Sequence, residues 1–198
     1  MRERDDIRVQ ILNHISEHGI DVLTNKGCQV GEKIEDPTGI LVRSMDLLKM
    51  KFNPGLLAIA RAGAGFNNIP IQRCAEAGIV VFNAPGANAE AVKEMVLAEL
   101  VMMSRDVLGS IEWVKSIADR GEEIPALVEK GKSAFAGPEL QGKTIGVVGL
   151  GATGALVANA CLDLGMQVYG YDPFMSVDAA WRLSRDVIHA EEISEIYK

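Results

Sequence analysis

The residues best suited to chemistry stand at Gly149-Leu150-Gly151-Ala152-Thr153-Gly154. This G-x-G-x-x-G follows an apolar run, Ile145 to Val148, and opens a helical pattern. An acid, Asp172, stands 18 positions past the last glycine, at the end of the next apolar run, Tyr169-Gly170-Tyr171. Strand, glycine turn, helix and acid in this order are the full context of a dinucleotide fingerprint. Gly149 permits the tight turn. Gly151 lacks a side chain, so a pyrophosphate can approach the backbone. Gly154 lets the helix pack closely on the strand. The amide groups and dipole of the helix then face the phosphates. Asp172 can accept from both ribose hydroxyls and would repel a 2′-phosphate, so NAD is favoured over NADP.

A second signal lies in the first half. Two apolar runs end in arginine, at Arg43 and Arg61. In a parallel α/β sheet, ligands gather at the carboxyl ends of strands. Arg61 leads into Gly63-Ala64-Gly65, whose successive amides form a concavity suited to a carboxylate. The two guanidinium groups can hold a second anion, such as a phosphate, by forked hydrogen bonds.

The elements that must position these groups alternate along the chain. Apolar runs at Ile7–Leu12, Gly39–Val42, Leu56–Ala60 and Ile79–Phe82 read as strands. Between them, Ser16–Leu23, Asp46–Phe52 and Pro70–Ala77 read as helices, the last stopped by Gly78. Asn83 to Ala87 is a turn. Asn88 is placed to cap an apolar helix from Ala89 to about Val107. That helix is expected to be buried on most sides or to lie at a subunit interface. Gly121–Gly142 reads as a connection. A second rhythm follows: strand Thr144–Val148, helix Ala152–Leu164 stopped by Gly165, and strand Gln167–Tyr171. A short helix near Val177–Leu183, a strand near Val187–Ala190 and a helix from Glu191 complete it. Alternating strands and helices make this an α/β chain. The boundary is placed near Glu90, giving domains 1–90 and 91–198.

Composition narrows the partners. The 198 residues carry 27 acids against 20 bases, a formal charge of −7. Nucleic acid or an anionic membrane as main partner needs basic patches that this balance does not favour. No apolar run reaches the roughly 18 residues that span a bilayer. The start, Met1 to Asp6, is charged and carries no signal-peptide stretch. Cys28, Cys74 and Cys161 are far apart and odd in number, with no metal spacing, so a reducing cytoplasm is the expected setting. His14 and His18 read as a solvated helix face. His189, next to Glu191 and Glu192, suggests a dyad, but neighbours on a strand face opposite ways.

With these residues in order, the chain resembles the D-isomer-specific 2-hydroxyacid dehydrogenases. The likeness runs from about Gly39 onward. It rests on Leu41-Val42-Arg43-Ser44, on Arg61 to Gly65, on Val81 to Asn88, on Phe135 through Glu139-Leu140 and Gly142-Lys143-Thr144, and on Gly149 to Gly154 with Asp172. The resemblance implies a flavodoxin-like substrate domain followed by a Rossmann-type nucleotide-binding domain, with the active cleft between them. It implies that Arg43, with Ser44, and Arg61 hold the substrate phosphate. Gly63 and Gly65 would offer amides to the carboxylate, with Ala64 near the nicotinamide and Asn88 at the hinge side of the cleft. Gly149, Gly151, Ala152, Thr153 and Gly154 would meet the pyrophosphate, and Asp172 with Pro173 the adenosine ribose. A homodimer through the long helix is also implied. Two departures stand out: Phe66-Asn67-Asn68 replaces the usual Gly-x-Asp-Asn continuation, and Ala152 replaces a frequent arginine.

The implied reaction is NAD-dependent oxidation of a small anionic 2-hydroxy acid. The paired arginines favour 3-phospho-D-glycerate, giving 3-phosphohydroxypyruvate on the way to serine. The alternatives are a glyoxylate or D-lactate type enzyme, whose substrate needs no second anion site, and a non-catalytic NAD-binding sensor. The family's catalytic Arg, Glu and acid-base His come from segments beyond these residues. A doubly wound nucleotide domain has about six strands, whereas only three can be counted after Gly142. The expectation is therefore an inactive N-terminal fragment with a partial nucleotide domain, its strand Ile145–Val148 at an open edge.

Overall fold

The computed structural model describes residues 7–197. The charged start, Met1 to Asp6, lies outside the described residues. The chain divides into two compact units after Ala87; the sequence placed the boundary at residue 90.

The first unit holds a parallel sheet of five strands: β1 (Arg8–Leu12), β2 (Gln29–Gly31), β3 (Gly39–Val42), β4 (Ala58–Arg61) and β5 (Val80–Phe82). Their spatial order is β2-β1-β3-β4-β5, the flavodoxin-like order. Two helices join them, α1 (Glu17–Thr24) and α2 (Ile71–Glu76). Period-two alternation sends Ile40 and Val42 of β3 to one face, where they meet Leu12, Ile59 and Cys74 in the core. The register pairs Ile40 with Ile59 and Val42 with Arg61, so Arg43 lies one residue beyond the last pair. Gly78, at φ +71°, ends α2 in the left-handed conformation.

Two features of this unit depart from the sequence reading. The three-residue strand β2 carries too short an apolar run to be read in advance. Asp46–Phe52 is not a helix. The Asp46 carboxylate takes the Leu48 amide at 2.7 Å, an Asx turn. The Arg73 guanidinium donates to the carbonyls of Leu48 and Met50 at 2.6 and 2.5 Å. Leu47 is buried completely beneath this turn.

The second unit holds a parallel sheet of three strands, β6 (Thr144–Val148), β7 (Gln167–Tyr171) and β8 (Ile188–His189), in the order β6-β7-β8. Among the described residues β6 is therefore an edge strand, as expected. Helix α3 (Ala89–Ser104) is shorter than its apolar run suggested. The chain becomes extended at Arg105, and Asp106 starts a new helix, α4 (Val107–Ile117), its carboxylate accepting the Gly109 amide at 2.9 Å. Asn88 does occupy the N-cap position, but its side chain makes no capping bond; its carbonyl accepts the Val92 amide instead.

Of α3 only Ala89 is buried. Val96, Leu97 and Leu100 pack against Val157, Ala158 and Cys161 of α6 (Ala152–Asp163), while Met103 is 84% exposed. The segment read as a connection carries α5 (Ile124–Gly131), with Pro125 in its first turn, and a 3-10 turn at Lys132–Phe135. Its polar composition marked the exposed faces of helices, not a loop. Helix α7 (Val177–Arg182) and a 3-10 turn, Ile193–Tyr197, complete the unit.

Candidate functional site

At the end of β6 the chain reverses at Gly149, whose φ of +87° favours glycine. The Gly149 amide donates to the Tyr171 carbonyl at 2.8 Å, which knits the turn to the end of β7. Leu150, 1% exposed, anchors the turn in the core. Its amide donates to Oδ2 of Asp172 at 2.8 Å, and Oδ1 of Asp172 accepts the Phe174 amide at 2.9 Å. Asp172 is thus brought to the glycine turn from 22 residues away.

The glycines divide by role. A Cβ on Gly149 or Gly151 would meet nothing within 4 Å, so the space above both is open. A Cβ on Gly154 would collide with the carbonyl of Gly149, so this glycine serves the close approach of α6 to β6. Gly151 occupies the N-cap of α6, and intrahelical bonding begins with the Ala155 amide on the Gly151 carbonyl at 3.0 Å. The amides of Ala152, Thr153 and Gly154 therefore lack intrahelical acceptors. No acidic residue stands in the first turn of α6 to compete for them. Open glycines, outward amides and a nearby carboxylate fit a dinucleotide. Pro173 follows Asp172 on the exposed side and starts the turn that carries Phe174, 91% exposed.

The first unit gathers its candidates at the carboxyl edge of its own sheet. Arg61 is half-buried, and its Nε donates to the Arg43 carbonyl at 3.0 Å. Its Nη1 is buried, without a partner among the described residues, and a Cβ on Gly65 would stand 2.5 Å from it. The guanidinium therefore runs beneath the Gly63–Gly65 loop. Arg43 and Ser44 are exposed at the adjacent strand end. The Gly63 amide donates to the Arg61 carbonyl at 2.9 Å, so it is already spent in the loop. The Ala64 and Gly65 amides have no acceptor among the described residues.

Three asparagines complete this edge, and motif reading assigned none of them a role. Asn83 donates to the Ala64 carbonyl at 2.8 Å, while the Ala84 amide donates to the Gly63 carbonyl at 2.9 Å. Asn68, 9% exposed, donates to the Met45 carbonyl at 2.7 Å. Asn13 accepts the Ser44 and Met45 amides at 3.0 and 2.5 Å. The available signal was Asn13's place directly after an apolar strand, where a left-handed residue turns the chain; its φ is +71°.

The histidines take no part in either cluster's hydrogen bonding. His14 precedes α1 and His18 lies within it, both exposed. His189 is exposed on β8. Burial pushes the Cys74 and Cys161 thiols up from their ordinary value, Arg73 drawing Cys74 partly back.

A family model described as D-isomer specific 2-hydroxyacid dehydrogenase, catalytic domain, matches residues 5–192. A D-3-phosphoglycerate dehydrogenase of Archaeoglobus fulgidus is 35% identical over 191 residues, covering 88% of this chain and 34% of the relative. One from Methanocaldococcus jannaschii is 32% identical over 172 residues, covering 84% and 30%. The chain spans about a third of the length of these curated relatives.

Among solved structures, an NAD+-bound 3-phosphoglycerate dehydrogenase of Entamoeba histolytica matches with a TM-score of 0.66 at 24% identity, over 96% of this chain and 59% of that one. An NADPH-dependent glyoxylate/hydroxypyruvate reductase of Sinorhizobium meliloti matches with a TM-score of 0.70 at 21% identity, over 96% and 60%. At such identities these two likenesses speak to the fold. The family model takes in both the arginine-ended strands and the glycine turn with its carboxylate: the chain belongs to the D-isomer specific 2-hydroxyacid dehydrogenase family.

Proposed function

We propose that this chain binds NAD at the turn between β6 and α6, and a phosphorylated 2-hydroxy acid at the ends of β3 and β4. The protein it represents oxidises 3-phospho-D-glycerate to 3-phosphohydroxypyruvate. The observation that carries the reading is the Asp172 carboxylate, bonded to the Leu150 amide beside the open backbone of Gly149 and Gly151. NAD, when bound, supplies the hydride acceptor. Gly149, Gly151, Ala152, Thr153 and Gly154 offer backbone to the pyrophosphate, and Asp172 and Pro173 border the adenosine ribose. The charge of Asp172 disfavours a 2′-phosphate.

Arg43, Ser44 and Arg61 face the substrate phosphate. The amides of Ala64 and Gly65 take the carboxylate in place of the spent Gly63 amide. General acid-base work needs a side chain within reach of the hydroxyl proton. His14, His18 and His189 are exposed and take no part in the hydrogen bonding of either cluster. We place the protein in the cytoplasm, on its three free cysteines. It self-associates as a homodimer through the outward apolar residues of α3, Met95 and Met103 among them.

The test is a thermal-shift comparison of NADH, 3-phospho-D-glycerate and D-lactate. A ligand at a hundred times its Kd adds about 2.7 kcal/mol. Stabilisation by NADH and by phosphoglycerate, with none by lactate, supports the reading. Stabilisation by NADH alone points to a sensor, and by lactate to a different hydroxy acid.

A further inference from the structure

We infer that Asn13 and Asn68 are positioning residues that hold the Arg43–Ser44 strand end in the shape that receives a phosphate. The inference rests on the reading of that strand end as the anion site.

The segment Arg43 to Met45 leaves the sheet, so its backbone groups lose their ladder partners. Side chains from three distant elements replace them. The Asn13 Oδ1, just past β1, accepts both the Ser44 and Met45 amides. The Asn68 Nδ2 donates to the Met45 carbonyl at 2.7 Å and reaches the Arg43 carbonyl at 3.5 Å. Arg61 donates to the same Arg43 carbonyl at 3.0 Å. The Asn68 carbonyl in turn accepts the Leu47 amide at 2.9 Å.

The two asparagines act with opposite polarity. Asn13 offers an acceptor to two amides, and Asn68 offers a donor to two carbonyls. Together they fix the backbone on both sides of Ser44 and leave the Arg43 and Ser44 side chains outward. The Asn13 φ of +71° aims its amide group at the next strand, a conformation Asn tolerates better than most residues. Asn68 is almost wholly buried, a costly place for a polar side chain: its Nδ2 is paired, whereas its Oδ1 has no partner among the described residues. Neither side chain need touch the ligand.

The test compares 3-phospho-D-glycerate with D-glycerate, which lacks the phosphate, by ligand titration followed by NMR. The variants are Asn13→Gly, which keeps the left-handed backbone, and Asn68→Ala. Each removes two hydrogen bonds from the loop. The preference for the phosphorylated acid is expected to fall roughly tenfold in each, while glycerate and NADH affinities hold. In Asn13→Gly the Ser44 and Met45 amides should also exchange faster with solvent.

If both acids weaken together, or the preference stays within about twofold of the parent's, the asparagines are merely structural and the inference falls. If the parent shows no preference for the phosphorylated acid, the anion-site reading fails and takes the inference with it. Should Asn68→Ala lose NADH binding through misfolding, the Asn13→Gly result decides.

Discussion

The carboxylate of Asp172 closes the turn that contains Leu150. Oδ2 accepts the Leu150 amide at 2.8 Å, while Oδ1 accepts the Phe174 amide at 2.9 Å. One side chain thus fixes both the glycine turn and the start of the loop after β7. The residue assigned to the ribose is also a strut for the backbone assigned to the pyrophosphate. On that assignment, cofactor choice and turn geometry are coupled.

Asp172→Ala is expected to cost about 2 kcal/mol of stability, since it leaves two amides without their charged acceptor. It should weaken NADH binding more than tenfold. Asp172→Asn keeps one acceptor and removes the charge, so it should fall between. The NADH-to-NADPH preference narrows in both variants, chiefly because NADH is lost. Fluorescence titration with both cofactors, with urea midpoints beside it, checks this. A gain of NADPH affinity at unchanged NADH affinity would contradict the coupling.

Gly151 and Gly154 should respond oppositely to one added methyl group. At Gly154 it would meet the Gly149 carbonyl, a rigid neighbour. Gly154→Ala should destabilise by about 3 kcal/mol. At Gly151 the added Cβ enters open space, on a φ of −69° that alanine accepts. Gly151→Ala should shift stability by less than about 0.5 kcal/mol yet weaken NADH, because the methyl fills the approach to the backbone. Equal stability losses in the two variants would remove the division of roles.

The parts of this fold legible in the sequence are those set by local rules. The strand β3 was read with its observed bounds because Gly-Ile-Leu-Val is an apolar run between turn residues. The Gly149 to Gly154 turn was legible because the left-handed backbone at Gly149 and the close approach at Gly154 both demand glycine. What was not legible depends on partners far along the chain. Asp46–Phe52 has helical spacing, but Arg73, 25 residues from Leu48, takes its carbonyls. Asn13 reaches Ser44 across 31 residues. The break at Arg105 hides inside a continuous apolar pattern, and only the Asp106 cap marks it. Gly63 was expected to offer its amide outward, but the Arg61 carbonyl two residues back takes it.

Arg73 therefore merits its own test. Its two guanidinium bonds hold the turn that a helix would otherwise replace, and it lies 5.3 Å from the Phe52 ring centroid. The side chain is largely exposed, so solvent weakens both effects. Arg73→Ala should cost about 1–2 kcal/mol. Arg73→Lys should recover only part, since an ammonium cannot fork to two carbonyls. Amide exchange should accelerate from Asp46 to Phe52 and stay unchanged across β7 in the other unit. Uniform acceleration would mean that Arg73 supports the fold at large.

The buried thiols give the chain a stability that fades in alkali. Burial raises the Cys161 thiol, and burial outweighs Arg73 in raising Cys74. An unfolded thiol ionises near pH 8.5. Below that pH both states hold the proton, and the folded state keeps its full advantage. Above it the unfolded chain loses its protons first, so stability declines as pH rises through the shifted values. Urea midpoints taken from about pH 7 to 10 should fall more steeply in the parent than in a Cys74→Ala/Cys161→Ala double variant. That variant also pays a cavity cost, but the cost is independent of pH and leaves the slope readable. Alkylation orders the same residues independently: Cys28, half-buried, should react before the two core cysteines, which wait for unfolding. A Cys161 that reacts in the native chain as fast as Cys28 would show that α6 opens locally, and the alkaline slope would then report that opening instead of global unfolding.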